Sequence, residues 1–189
     1  CILEKGSEVG AHILSGNVFE TKALDELIPN WRNENAPIKT KVSKEKFLFL
    51  GKKSSLSWPT WLLPAVQKNH KNYIISLANF CRWLAEQAEK LGVEIFPGFP
   101  ASEVLYNDDG SVKGVATLDM GLDKEGNKKD TYQEGMELHA KVTVFSEGCS
   151  GHLGKQLIKK FNLDEGKNPQ QYGIGLKEIW EVSEQQHQE

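Results

Sequence analysis

Two hydrophobic periods run along this 189-residue chain, and the change from one to the other marks out its elements. Leu77, Phe80, Cys81, Leu84, Ala85, Ala88 and Leu91 recur at helical spacing, which predicts one apolar helix face. Gly92 then stands where a left-handed cap ends a helix, and Val93-Glu94-Ile95-Phe96 reads as a strand. Helix, glycine and short apolar strand form the second half of a βαβ unit, which implies a parallel sheet.

Before that helix, Cys1 to Glu4 is a short apolar strand ending in an acid, and Gly6 to Gly16 is loop-like. Thr21 followed by Ala23, Leu24, Leu27 and Ile28 predicts a short helix stopped by Pro29. Residues 30–75 read as irregular to extended, with Asn72 to Ile75 as a strand. After the helix comes an antiparallel meander. Glu103 to Tyr106 and Ser111 to Leu118 flank the turn Asn107-Asp108-Asp109-Gly110. A second turn, Lys124 to Asn127, precedes a strand expected from Tyr132 to His139. Val142 to Phe145 is expected as a buried strand running into Ser146-Glu147-Gly148. A helix follows with Leu153, Gly154, Leu157, Ile158 and Phe161 on one face. The fold class is therefore α/β.

Composition narrows the function classes. A net charge of −3 does not suit a non-specific nucleic-acid binder. With 39% hydrophobic and 26% charged residues the chain can build a core, so wholesale disorder is excluded. Three widely spaced cysteines, Cys1, Cys81 and Cys149, form no disulfide scaffold and no CxxC motif. No run approaches the ~20 apolar residues of a membrane-spanning helix. The opening Cys1-Ile2-Leu3-Glu4 reads as strand interior, so the chain is expected to be a piece of a longer protein.

Charge is placed unevenly. Residues 1–75 hold 11 Lys/Arg against 7 Asp/Glu, and six lysines fall within Lys39–Lys53. Beside them lie Phe47-Leu48-Phe49-Leu50 and Trp58-Pro59-Thr60-Trp61-Leu62-Leu63. Lysines next to clustered aromatic and aliphatic residues are the composition of a segment resting on an anionic membrane. The same composition also fits a loop whose aromatics pack into a neighbouring domain.

Two places carry candidate cofactor chemistry. In dinucleotide-binding folds the second strand ends in an acid that hydrogen-bonds a ribose, as Leu3-Glu4 would, with the glycine fingerprint ~20 residues earlier. A strand and a GxGxxG turn are accordingly expected upstream of Cys1. The second place is Phe145-Ser146-Glu147-Gly148-Cys149-Ser150-Gly151-His152. A strand there leads through small residues to a helix N-terminus whose N–H groups suit a pyrophosphate. It also reads as a plain β–α connection with glycines for packing. Cys149 is expected as a small packing residue. His12, His70, His139 and His152 lack partners at metal-ligand spacing, and no catalytic side chain or metal ligand is assigned.

The residues also match a family. Leu3-Glu4-Lys5, Gly10 to Gly16, His70 to Ile75, Glu86 to Glu94 and Asp108 to Gly114 agree with it, as do Glu137 to Thr143, Ser146 to Cys149 and Tyr172 to Glu178. In these stretches the chain resembles the electron transfer flavoprotein–ubiquinone oxidoreductase family, from Cys1 to about Val182. The resemblance implies a membrane-associated oxidoreductase with FAD and a 4Fe-4S cluster. Such a protein takes electrons from electron transfer flavoprotein and reduces ubiquinone. It implies a location on the matrix face of the mitochondrial inner membrane, or on the cytoplasmic membrane of a bacterium. By the same resemblance Glu4, with Lys5 beside it, binds the adenosine ribose, and Ser15 and Gly16 lie beside the flavin ring. Val104 presents backbone to the adenine, and Ser146, Glu147 and Gly148 approach FAD at the second glycine turn. Phe47, Phe49, Trp58, Trp61, Leu62 and Leu63 face the membrane and quinone.

The implied domains are 1–45, part of a Rossmann-like FAD/NAD(P)-binding domain, and 46–75, a membrane- and quinone-side insertion. Residues 76–155 continue the FAD-binding domain, and 156–189 begin a quinone-side domain. Departures count too. The first glycine fingerprint and the cluster cysteines lie outside these residues, so the chain alone is expected to be inactive. Ser76 stands where the family usually has an Arg that pairs with FAD phosphate. Two other classes remain open: a geranylgeranyl-reductase-like flavin enzyme, and a cofactor-less scaffold.

Overall fold

A computed structural model describes every residue except Leu14, Ser15, Lys177, Ile179, Trp180 and Glu189. The strands of the first half are β1 (Ile2–Glu4), β2 (Gly16–Phe19), β3 (Thr40–Lys41), β4 (Phe47–Leu50), β5 (Ser55–Trp58) and β6 (Tyr73–Ser76). Those of the second half are β7 (Ile95–Pro97), β8 (Ala101–Tyr106), β9 (Val112–Thr117), β10 (Met120–Leu122), β11 (Lys128–Gln133) and β12 (Glu137–His139). The helices are α1 (Lys22–Leu27), α2 (Leu77–Lys90), α3 (His152–Phe161) and α4 (Glu184–Gln188). The chain divides into one unit made of Cys1 and Ser7–Ile95, and another made of Ile2–Gly6 and Phe96–Glu189.

The first unit is a small sheet, β2-β6-β3, with α2 against it. β2 and β3 both pair antiparallel with β6, and a Cβ on Gly16 would sit 2.8 Å from the Ile75 carbonyl. That pairing needs a residue without a side chain at its first rung. Leu24, Trp31, Ala36, Ile38, Ile75, Phe80 and Trp83 form the core. Both buried tryptophans keep their indole N–H satisfied: Trp31 donates to Asp25 and Trp83 to the Glu34 carbonyl, each at 2.8 Å. α2 matches the expected helix, and its N-cap Ser76 accepts from the Asn79 N–H at 3.4 Å. Its buried stripe includes Trp83, three residues beyond Phe80, whereas Leu91 lies past the helix end and is exposed. Burial pushes the Cys81 thiol up.

β4 and β5 make a hairpin of their own with Phe47 opposite Trp58 and Phe49 opposite Leu56. Alternation places Phe47, Phe49, Leu56 and Trp58 on one face, all exposed.

In the second unit β8 and β9 meet across the expected turn. Gly110 is left-handed there, and the Asp109 carboxylate accepts from the Ser111 N–H at 2.9 Å. β12 joins the far side of β9, leaving β8 at the edge of the order β12-β9-β8. The strand expected from Tyr132 to His139 is broken. Its first residues end β11, which pairs with β10, and its last residues form β12 on β9. The break falls at Gly135, whose N–H donates to Asp119 at 2.7 Å and whose Cβ position is filled by the Thr117 carbonyl. Val104, Val115, Leu153 and Leu157 form the core, with Leu3, Tyr106, Leu138 and Phe145 packed against it.

The mixed α/β class is observed, and one finer expectation is corrected. Val142 to Phe145 is not a strand: Val142 and Val144 are each 79% exposed, while Thr143 and Phe145 are half-buried. An apolar run becomes a strand only where neighbouring backbone satisfies its N–H and C=O groups, and none pairs with it here. The registers within β2-β6-β3, β4-β5, β12-β9-β8 and β10-β11 are antiparallel. β1 and β7, the strands on either side of α2 in the expected βαβ unit, pair with each other in a two-stranded sheet.

Candidate functional site

Three of the expected cofactor-binding segments converge in the second unit. Leu3, next to Glu4, packs on the same core as Val104, and so do Phe145 and Leu153, which bracket the Ser146–Gly148 turn. Residues a hundred positions apart are thereby held around one cluster of aliphatic side chains.

Glu4 ends β1, and its carboxylate accepts from the Gly6 N–H two residues on. That bond engages one carboxylate oxygen and orients the side chain at the strand end. The second oxygen remains as an acceptor, which fits a ribose hydroxyl. The Glu4 carbonyl accepts from the Phe99 N–H, and the Gly6 carbonyl from the Gly98 N–H, so the strand end is fixed to the segment after β7. Lys5 is exposed. The Val104 side chain is buried in the core, and its strand is a sheet edge, so alternate backbone groups of β8 face away from β9.

The glycine turn is built differently from the expectation. Gly148 is left-handed and folds the chain back over the start of α3. The Glu147 carboxylate then accepts from the Gly154 N–H at 2.7 Å and, more weakly, from the Leu153 N–H at 3.4 Å. His152 Nδ1 lies 3.4 Å from the same carboxylate. Gly151, the N-cap residue, supplies no side-chain cap. Two of the N–H groups that a pyrophosphate would use, those of Leu153 and Gly154, are therefore engaged by a carboxylate of the chain itself. Cys149 is exposed in that turn and is not a packing residue.

The remaining expected residues lie in the first unit. Gly16 opens β2, and Ser15 is outside the described residues. Ser76 caps the start of α2. On the β4–β5 hairpin the Phe47 and Phe49 rings are 5.4 Å apart, and the Phe49 and Trp58 rings 6.0 Å. Trp61 and Leu62 follow on a short 3₁₀ turn, both exposed, and Leu63 is half-buried. Lys52 and Lys53 occupy the hairpin tip, and Lys44 and Lys46 its base, all exposed. Sequence reasoning missed Leu56, which joins this face through its register opposite Phe49. Among the described residues no helix is long and apolar enough to cross a membrane. None of them forms a group of three or more His, Cys, Asp or Glu able to hold a metal ion.

No family model matches the chain. Individual proteins do. It is 54% identical over 188 residues to the probable electron transfer flavoprotein-ubiquinone oxidoreductase of Acinetobacter baylyi, a match covering 99% of this chain and 33% of that protein. It is 53% identical over 189 residues to the mitochondrial electron transfer flavoprotein-ubiquinone oxidoreductase of Dictyostelium discoideum, covering 100% and 31%. With the Bos taurus mitochondrial protein identity is 50% over 185 residues, covering 97% and 30%. The chain spans about a third of the length of the curated relatives it matches. The resemblance read from its residues thus holds along nearly the whole chain, which is similar to one third of an electron transfer flavoprotein–ubiquinone oxidoreductase.

Proposed function

We propose that the protein carrying this chain oxidises reduced electron transfer flavoprotein and passes the electrons to ubiquinone at a membrane surface. What carries this reading is the long, collinear similarity to enzymes of that name, joined to the convergence of Glu4, Val104 and the Ser146–Gly148 turn on one core. FAD, when bound, supplies the redox chemistry, because a flavin exchanges electrons singly or in pairs.

The chain's own residues bind and orient. Glu4 holds the adenosine ribose through its second carboxylate oxygen, with Lys5 beside it. β8 offers backbone groups near Val104 to the adenine, and the backbone of Ser146 and Gly148 lies along the cofactor. Ser15 and Gly16 belong beside the flavin ring. Residues 1–45 and 76–155 are parts of a Rossmann-like FAD-binding domain, and 156–189 begin the quinone-side domain. Three cysteines cannot supply the four thiolates of a 4Fe-4S cluster, so its ligands come from other parts of the protein.

Residues 46–75 form the membrane- and quinone-side element. Phe47, Phe49, Trp58, Trp61, Leu62 and Leu63 enter the interface while the lysines face anionic headgroups. The membrane is the matrix face of the mitochondrial inner membrane, or the cytoplasmic membrane in a bacterium.

The test is ubiquinone-dependent reoxidation of reduced electron transfer flavoprotein by the purified full-length protein, with flavin content measured alongside. Glu4→Ala should lower FAD affinity about tenfold, equivalent to ~1.4 kcal/mol. Full flavin occupancy without electron transfer flavoprotein oxidation would point to a different flavin enzyme. A colourless full-length protein would refute the reading altogether.

A further inference from the structure

We infer that Glu147 is a built-in anion that closes the N-terminus of α3 to phosphate, so that this turn meets only uncharged parts of a bound nucleotide. Two features of the Glu147 side chain support it. The carboxylate accepts from the Gly154 N–H at 2.7 Å and the Leu153 N–H at 3.4 Å, the second and third helical residues, which are the groups that cradle a bound anion. The chain is also shaped around that carboxylate. A Cβ at Gly151 would collide with the Glu147 side chain, including its own Cβ, which is not a flexible end that swings away. Gly154 has open room, with Glu147 Oε2 at ordinary contact distance from its Cβ position. A glycine used simply to let a phosphate approach the helix would not need to accommodate an acidic side chain first.

The electrostatics follow directly. The positive end of a ten-residue helix amounts to about half an elementary charge, and one carboxylate at hydrogen-bond distance more than offsets it. A phosphate arriving there meets a negative charge and no unengaged donor on Leu153 or Gly154. Glu147 is thus a positioning residue: it fixes the helix start and the Ser146–Gly148 backbone without itself holding the cofactor.

This inference does not depend on the flavin reading, because inorganic phosphate is the probe. Thermal unfolding of the purified full-length protein is measured with and without 50 mM phosphate, ionic strength being matched with chloride. The set comprises wild type, Glu147→Ala, Glu147→Gln and Gly151→Ala. Wild type should not respond to phosphate. Glu147→Ala should lower Tm by about 1–2 °C, the loss of a helix cap in a protein about three times the length of this chain, and recover most of that loss in phosphate. Gly151→Ala, by displacing the Glu147 side chain, should reproduce the phosphate response with at least as large a loss of Tm, because its Cβ also overlaps the Glu147 Cβ. Glu147→Gln, which keeps an acceptor oxygen but not the charge, should lose less. A wild type stabilised by phosphate as strongly as Glu147→Ala would overturn the inference, even if that variant failed to fold. So would a Gly151→Ala protein with wild-type stability and no phosphate response.

Discussion

Replacing Trp58 and Trp61 together by serine probes what the β4–β5 hairpin is for. Trp58 leaves 42% and Trp61 73% of its surface in water, so neither anchors the core of its unit. With about 200–250 Å² for a whole tryptophan, the two expose roughly 250 Å². If half of that enters the headgroup region at about 25 cal/mol per Å², the contribution is ~3 kcal/mol, or roughly 100-fold in partitioning. The exposed lysines Lys44, Lys46, Lys52 and Lys53 add ~1 kcal/mol each on an anionic surface. The assay is co-sedimentation with liposomes containing 30% or no anionic lipid. The double variant should bind both about 100-fold more weakly, with flavin content and Tm nearly unchanged. Exchanging the four lysines for Gln should weaken only binding to anionic liposomes, as high salt should. A Trp variant that still bound liposomes within threefold of wild type, yet lost its flavin or unfolded, would refute the reasoning. These side chains would then pack against protein.

Two further expectations concern the fold. Asp25 accepts from Trp31, Thr21 and Arg32, and these bonds, the Trp31 indole foremost, hold its carboxyl below the usual range. A depressed folded pKa stabilises in full above the ordinary aspartate value of about 4 and is lost as pH falls through the folded value; Asp25→Asn should therefore flatten the acid limb of a pH–stability curve. Trp83, 5% exposed, stacks on Phe80 and donates to the Glu34 carbonyl. Trp83→Phe should cost about 1–2 kcal/mol in urea unfolding, and Trp83→Ala about 3–5 kcal/mol.

What the sequence determined by itself were the features whose causes are local. α2 follows from apolar spacing, its end from Gly92, and the β8–β9 turn from Asn107 to Gly110. Each depends on residues within a turn or two of one another, so periodicity and turn chemistry reveal them. The family resemblance was legible for a different reason: identity spread along the whole chain is more specific than any motif.

Tertiary structure alone decided the rest. Val142 to Phe145 has the composition of a strand but no backbone partner, and pairing is a property of neighbours. Trp83 joins the core because Trp31, Ile38 and Ile75 meet α2 from distant positions. Leu56 becomes part of an apolar face only once the register opposite Phe49 is set. Ser146-Glu147-Gly148 reads as a phosphate turn until a left-handed Gly148 and a bare Gly151 let the carboxylate fold onto α3. A short motif specifies which hydrogen-bonding groups are available; which partner takes them depends on what the folded chain brings within 3 Å.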